Sequence, residues 1–244
     1  MTLLPSRSEY LDLPDVRLHI RRWGDAKAPT LFLLHGWMDV SASFQFVVDA
    51  LQRDWNIIAP DWRGFGPSQW LHRPYYFAEH ISDLEAILDH YAPAGQVRLV
   101  GHSMGGILSC LYAGIRPERV ERLVTLDGFG IAPTTPEMAP ERYRQWLDQS
   151  RATPKLHVYR DRADFARRLM KTDRFLTAER AEFLSRHLAK IGEGHNKAGQ
   201  RPGDWEARQA CFAQLTERWI EDTDHMLHHD QPAEVAQLIE EFLT

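Results

Sequence analysis

The chain has 244 residues, 43% of them hydrophobic and 26% charged, with a formal net charge of −5. That length and composition suit one large α/β domain carrying an insertion. A mildly acidic chain has no general attraction for phosphate backbones, so nucleic acid is not an expected partner. No run of about 18 apolar residues exists to span a bilayer, which argues against a membrane partner. Two cysteines, Cys110 and Cys211, give no disulfide framework or CxxC pair. The first ten residues carry no apolar leader-like run, so a cytoplasmic location is the expectation.

Alternating runs over 10–13 and 16–23, around Pro14 and Asp15, predict an antiparallel hairpin. Residues 30–34 (Thr-Leu-Phe-Leu-Leu) form an unbroken apolar run, as expected of a strand buried on both faces. Similar runs lie at 56–60, 97–100 and 123–126. Helical spacing links Phe44, Val47, Val48 and Leu51, then Ile81, Leu84, Ile87, Leu88 and Tyr91, then Ile107, Leu108, Leu111 and Ile115. Strand and helix in alternation predict βαβ units and a mostly parallel sheet with helices on both faces.

Past Asp127 the texture changes. Residues 131–205 show charged helical patterns, at 142–147, 165–170 and 178–188, and no buried-strand run. They predict a helical cap inserted between a first core part (1–130) and a C-terminal core part (206–244). Residues 192–204 predict a loop, 206–214 a short helix, 217–220 a strand and 233–242 a closing helix.

Gly101-His102-Ser103-Met104-Gly105 fits G-x-S-x-G, with a strand before it and a helix after it. Such a turn is tight enough to strain the serine backbone and lift its oxygen clear of the sheet. The bland alternative is a glycine-rich turn with an incidental serine. His35-Gly36-Trp37 follows the first buried strand. Backbone N–H groups of Trp37 and Met104 are the expected oxyanion hole, against a plain strand-end turn as the alternative. The glycine-pinned turn at 61–68 reads as a structural loop beside the pocket. His225 follows the predicted last strand and is the candidate general base, or else a structural histidine. His225, His228, His229 and Asp230 crowd one loop, but neighbouring ring nitrogens at a helix start rarely converge, so no metal is expected.

These pieces resemble the α/β-hydrolase superfamily, in particular its capped serine hydrolases, which include esterases and serine hydrolase-like proteins. His35-Gly36-Trp37, residues 61–68, Gly101 to Gly105 and Asp224-His225-Met226 fall in that family's order, over about residues 10–130 and 206–244. The resemblance implies a Ser103–His225 pair, with Trp37 and Met104 as oxyanion donors. It also implies an Asp or Glu after a seventh strand, which this chain departs from. No apolar run followed by Gly-x-x-Asp lies between Gly192 and His225, so the fold is expected to be one late strand short. Some relatives carry the acid after the sixth strand, and Asp127 is then the substitute, or else a plain turn cap; Asp204 and Asp222 are weaker candidates.

A serine nucleophile suits attack on an acyl carbon. Trp37, Trp62, Phe65, Phe129, Trp146 and Trp205 are expected to give an apolar pocket, with His35, Gly36 and His102 beside it. A small to medium hydrophobic ester is the expected small-molecule substrate. A ligand-binding protein without turnover is the alternative, favoured by the missing acid strand. No Walker-type or dinucleotide glycine motif is present, so no cofactor is expected.

Overall fold

A computed structural model describes residues 3–71, 73, 75–129, 135–151, 159–188 and 214–243. Strands β1 (Arg7–Asp12) and β2 (Arg17–Trp23) form the expected hairpin. They lead into β3 (Thr30–Leu34), β4 (Asn56–Pro60), β5 (Val97–His102) and β6 (Val120–Leu126). The sheet runs β1-β2-β4-β3-β5-β6. β3, β4, β5 and β6 are mutually parallel, and β2 joins β4 antiparallel.

Alternation along β3 divides the core in two. Phe32 and Leu34 point to one face, under α2 (Phe77–Tyr91) and α3 (Met104–Ile115). Leu31 and Leu33 point to the other, under α1 (Gln45–Ala50) and the C-terminal helix. Chain order reverses about β3, since β4 lies on one side of it and β5 on the other. Such a switch point opens a crevice at the carboxyl ends of the strands, where α/β proteins place ligands.

The insertion is helical where it is described: α4 (Ala139–Arg151), α5 (Arg162–Thr172) and α6 (Ala178–Leu188). Ala166, Leu176, Ala181 and Leu184 form a small separate core that closes on Phe46. After it come a single helical turn, α7 (Leu227–Asp230), and α8 (Pro232–Leu243), with Pro232 at the first helical position.

Two expectations need correction. Residues 217–220 form no strand: they have no regular structure, Trp219 is 85% exposed, and Ile220 alone of the four packs against the core. A strand needs a partner for its backbone groups, and among the described residues nothing pairs with the outer edge of β6. For the same reason β6 is only partly buried rather than covered on both faces. Its Glu121 and Arg122 are exposed, as charges on an edge strand commonly are. The described sheet thus has six strands. The loop expected at 192–204 lies outside the described residues, as does all but the last residue of the 206–214 helix.

The turn at 61–68 is held from beneath. Asp61 is fully buried and accepts hydrogen bonds from the Ser41 N–H (2.6 Å) and hydroxyl (3.1 Å), with His19 Nδ1 at 2.6 Å. Arg63 makes a bidentate pair with buried Asp83 of α2, both bonds 2.6 Å, and reaches Glu79 at 2.8 Å and Asp15 at 3.0 Å. Burial pushes the Asp83 carboxyl up, and its bonds to Arg63 oppose that shift.

Removing one partner of such a pair strands a buried charge, so Arg63→Leu is expected to cost about 3–5 kcal/mol in urea unfolding. Arg63→Leu with Asp83→Leu should recover part of that loss; no recovery would show that the pair does not act as a unit. His80, also buried on α2, is pushed down to about 4 by burial and then by the charge of Arg63. Between about pH 6.5 and 4 the unfolded chain therefore holds the extra proton. Stability should fall with pH across that window by about 1.4 kcal/mol per unit from this residue. In His80→Phe, urea midpoints measured across the window should show a shallower slope.

Candidate active site

β5 ends at His102, and the chain must turn at once into α3. Ser103 makes that turn with φ 49° and ψ −114°, a strained conformation for a residue with a side chain. Two glycines permit it by close approach. A Cβ at Gly105 would lie 2.0 Å from the Leu34 carbonyl oxygen of β3. One at Gly128 would lie 2.3 Å from the carbonyl oxygen of Ser103.

Strand register then brings three functional groups together. His102 pairs with Leu126 across β5 and β6, and the Ser103 N–H donates to the Leu126 carbonyl at 3.0 Å. Asp127 is the next residue of β6's chain, so its carboxylate emerges beside the serine. His225 arrives from the segment before α7. Its Nε2 lies 3.0 Å from Ser103 Oγ, and its Nδ1 lies 2.5 Å from Asp127 Oδ2. The hydroxyl is aligned with one ring nitrogen and the carboxylate holds the other, the geometry that lets an imidazole take a proton from a serine. The His225 and Asp127 side chains are 52% and 53% exposed, so this pair is well solvated.

The loop bearing His225 is anchored from two sides. His102 Nε2 donates to the His225 carbonyl at 2.8 Å. Arg180, on α6 of the insertion, donates to the carbonyls of His229 (2.5 Å) and Asp230 (3.0 Å).

The other expected site residues sort differently. Gly36 lies against the turn, where a Cβ would come within 3.0 Å of Ser103 Cβ and 2.8 Å of His102 Nδ1. Trp37 follows it, partly buried, with its ring edge-to-face on Phe65 at 5.1 Å. Met104 is the first residue of α3, whose leading N–H groups have no partner within the helix. His35 and His102 are corrected from pocket residues to internal ones. His35 is fully buried, with one ring nitrogen 2.7 Å from the Gly36 carbonyl and the other accepting from the Trp62 N–H at 3.0 Å. His102 is 1% exposed and spends Nε2 on the His225 carbonyl. Trp62 is likewise core rather than pocket, fully buried, with its indole N–H on the His35 carbonyl. Phe129 is partly buried two residues past Asp127, and Trp146 on α4 is 38% exposed with its ring 6.1 Å from that of Tyr76. Trp205 and Asp204 lie outside the described residues. Asp222 is exposed, at φ 52°.

Behind His102 sit His228, which the sequence places only in the crowded loop of His225, His229 and Asp230, and Asp39, which sequence reasoning missed; both are buried. Burial pushes the His102 and His229 rings well down, and His228 down to about 3, so all three are neutral at ordinary pH. Asp39 carries no motif of its own, and only folding brings it against α7.

The family model described as alpha/beta hydrolase fold matches residues 29–242. The serine hydrolase-like protein of Danio rerio is 33% identical over 138 residues, 54% of this chain and 41% of that protein. The 2-hydroxy-6-oxo-2,4-heptadienoate hydrolase of Pseudomonas putida is 29% identical over 181 residues, 74% of this chain and 58% of that protein. The chain thus spans less than three fifths of either relative. Among solved structures, the thioesterase domain from the curacin biosynthetic pathway superposes with a TM-score of 0.83 at 21% identity, covering 97% of this chain and 99% of that one. At that identity the likeness is one of fold. No helix among the described residues is long and apolar enough to cross a membrane.

Gly128→Ala should push the new methyl into the Ser103 carbonyl. Overpacking of that kind costs about 1–3 kcal/mol, which in a chain this size lowers Tm by roughly 3–10 °C. An unchanged Tm by calorimetry would show that β6 and the serine turn are not in contact.

Proposed function

The chain belongs to the alpha/beta hydrolase fold family, and we propose that it is a serine hydrolase that cleaves small to medium hydrophobic esters. The observation that carries this reading is the line of contacts from Ser103 Oγ through both nitrogens of His225 to Asp127. In the proposed reaction His225 Nε2 takes the Ser103 proton as Oγ attacks the acyl carbon. Asp127 accepts from Nδ1–H, which fixes the tautomer that leaves Nε2 free and stabilises the imidazolium that forms. The negative oxygen of the tetrahedral intermediate is held by the N–H groups of Met104 and Trp37. The start of α3, where unpaired N–H groups and the helix dipole favour negative charge, supports the first donor. The second is supported by the packing of the adjacent Gly36 against the Ser103 side chain. His225 then returns its proton to the leaving alcohol, and a water activated by the same ring hydrolyses the acyl-enzyme.

An apolar acyl or alcohol group is favoured by the Trp37–Phe65 ring pair beside the site and by Phe129 next to Asp127. Trp146 of the insertion, with its ring 6.1 Å from that of Tyr76 at the start of α2, would extend that wall. The serine hydrolase-like relative supports the nucleophile by name. The exposure of the Asp127–His225 pair favours the second reading, a binding protein without turnover, because solvent weakens an orienting carboxylate.

A fluorophosphonate probe should label Ser103, and p-nitrophenyl acetate and butyrate should be turned over. Ser103→Ala should abolish both signals. Asp127→Asn should lower kcat by about 10³–10⁴-fold, because the ring loses its correct tautomer. Intact protein that neither labels nor turns over would overturn the hydrolase reading in favour of the binding protein.

A further inference from the structure

Asp39, His102 and His228 face one another behind the serine turn. Asp39 and His102 are 2% and 1% exposed, and His228 is fully buried. His102 Nδ1 lies 4.0 Å from Asp39 Oδ2, and His228 Nε2 lies 3.6 Å from the same oxygen. One atom from each residue falls within 4.8 Å of the others. These gaps are too long for direct hydrogen bonds. His102 Nδ1, both His228 ring nitrogens and Asp39 Oδ1 have no hydrogen-bond partner. Native interiors seldom leave so many polar atoms unpaired in one place.

Charge sharpens the point. Among the described residues Asp39 is close to these two imidazoles and to no Lys or Arg. Buried carboxylates are normally paired with a cation or bound to a metal. Two of the three residues also have the outer contacts that orient metal ligands. His102 donates its remote Nε2–H to the His225 carbonyl, which leaves Nδ1 as the lone-pair nitrogen. Asp39 Oδ2 accepts from the Ser43 hydroxyl at 2.8 Å.

We propose that Asp39, His102 and His228 form a buried site for one divalent transition ion of the zinc class, with water in the remaining position. Two imidazoles and one carboxylate are a ligand set that such ions accept. Metal–ligand bonds of about 2.0–2.1 Å put tetrahedral neighbours roughly 3.3 Å apart, so the group must tighten on binding by about 0.3 Å between His228 and Asp39 and by up to about 1.5 Å across the group. The site is distinct from the serine, and its ion takes no part in acyl transfer. It fastens α7 to β5 and, through His102, holds the carbonyl of His225. This inference stands apart from the hydrolase reading, because its tests measure metal rather than turnover.

The full chain is stripped with a chelator, reloaded with Zn²⁺ or Co²⁺, gel-filtered and assayed for bound metal. One equivalent per chain is expected. A concentration 100-fold above Kd should raise Tm by roughly 5–10 °C. His228→Asn and Asp39→Asn should weaken binding about 100-fold or more, since even outer contacts of metal ligands are worth 10–100-fold. Should both variants fail to fold, the visible spectrum of the Co²⁺-loaded chain decides: intense bands mark a low-coordinate nitrogen and oxygen site. A weak hydrated-ion spectrum overturns the proposal, as does no retained metal with no Tm shift at about 100 µM ion. Wild-type affinity in both variants also overturns it, because the ion then binds elsewhere.

Discussion

The bond from the Ser103 N–H to the Leu126 carbonyl is the constraint on which the site depends. It continues the β5–β6 ladder one step past the strands, into the turn itself. The serine therefore inherits its position relative to Asp127 from strand register rather than from side-chain packing. A register slip of one residue would turn the carboxylate to the other face of the sheet. The close approach of Gly128 to the serine carbonyl reinforces the same alignment, because no bulkier residue fits that gap.

Against this rigid half stands a partner reached across 122 residues. His225 lies on a segment without regular structure, and its placement is borrowed from neighbours. His102 holds its carbonyl from the sheet side, and Arg180 holds the following helical turn from the insertion. Because Arg180 belongs to α6, the insertion is tied directly to the helical turn that follows the imidazole. Four rings, those of His225, His102, His228 and His229, lie in succession with centroids 4.1 to 4.9 Å apart. They connect the solvated histidine to the buried interior over one short path.

Much of this was legible in the sequence, and the reasons are physical. The central strands β3, β4 and β5 are buried on both faces, so their apolar runs are continuous and easily read. The G-x-S-x-G turn is dictated by sterics, which makes Ser103 visible from its glycines alone. Asp127 could be suggested only because the usual acid-bearing strand has no counterpart in the sequence. Residues 217–220 were misread because a short strand-like run cannot announce whether a neighbour exists to pair with it. His35 and His102 flank the motifs, but whether a ring faces a pocket or the interior depends on tertiary contacts. Asp39 had no local signal at all: its significance comes from His102, 63 positions on, and His228, 189 positions on.

The outer edge of β6, which nothing among the described residues pairs with, has a consequence for how this architecture can vary. With Asp127 at the tip of the sixth strand, the serine turn and the carboxylate beside it come from one stretch of sheet, and among the described residues only the His225 ring reaches the Ser103 hydroxyl from later in the chain. Lateral growth or trimming of the sheet beyond that point leaves this alignment intact, so long as one ring is returned to the same crevice with its anchors at His102 and Arg180.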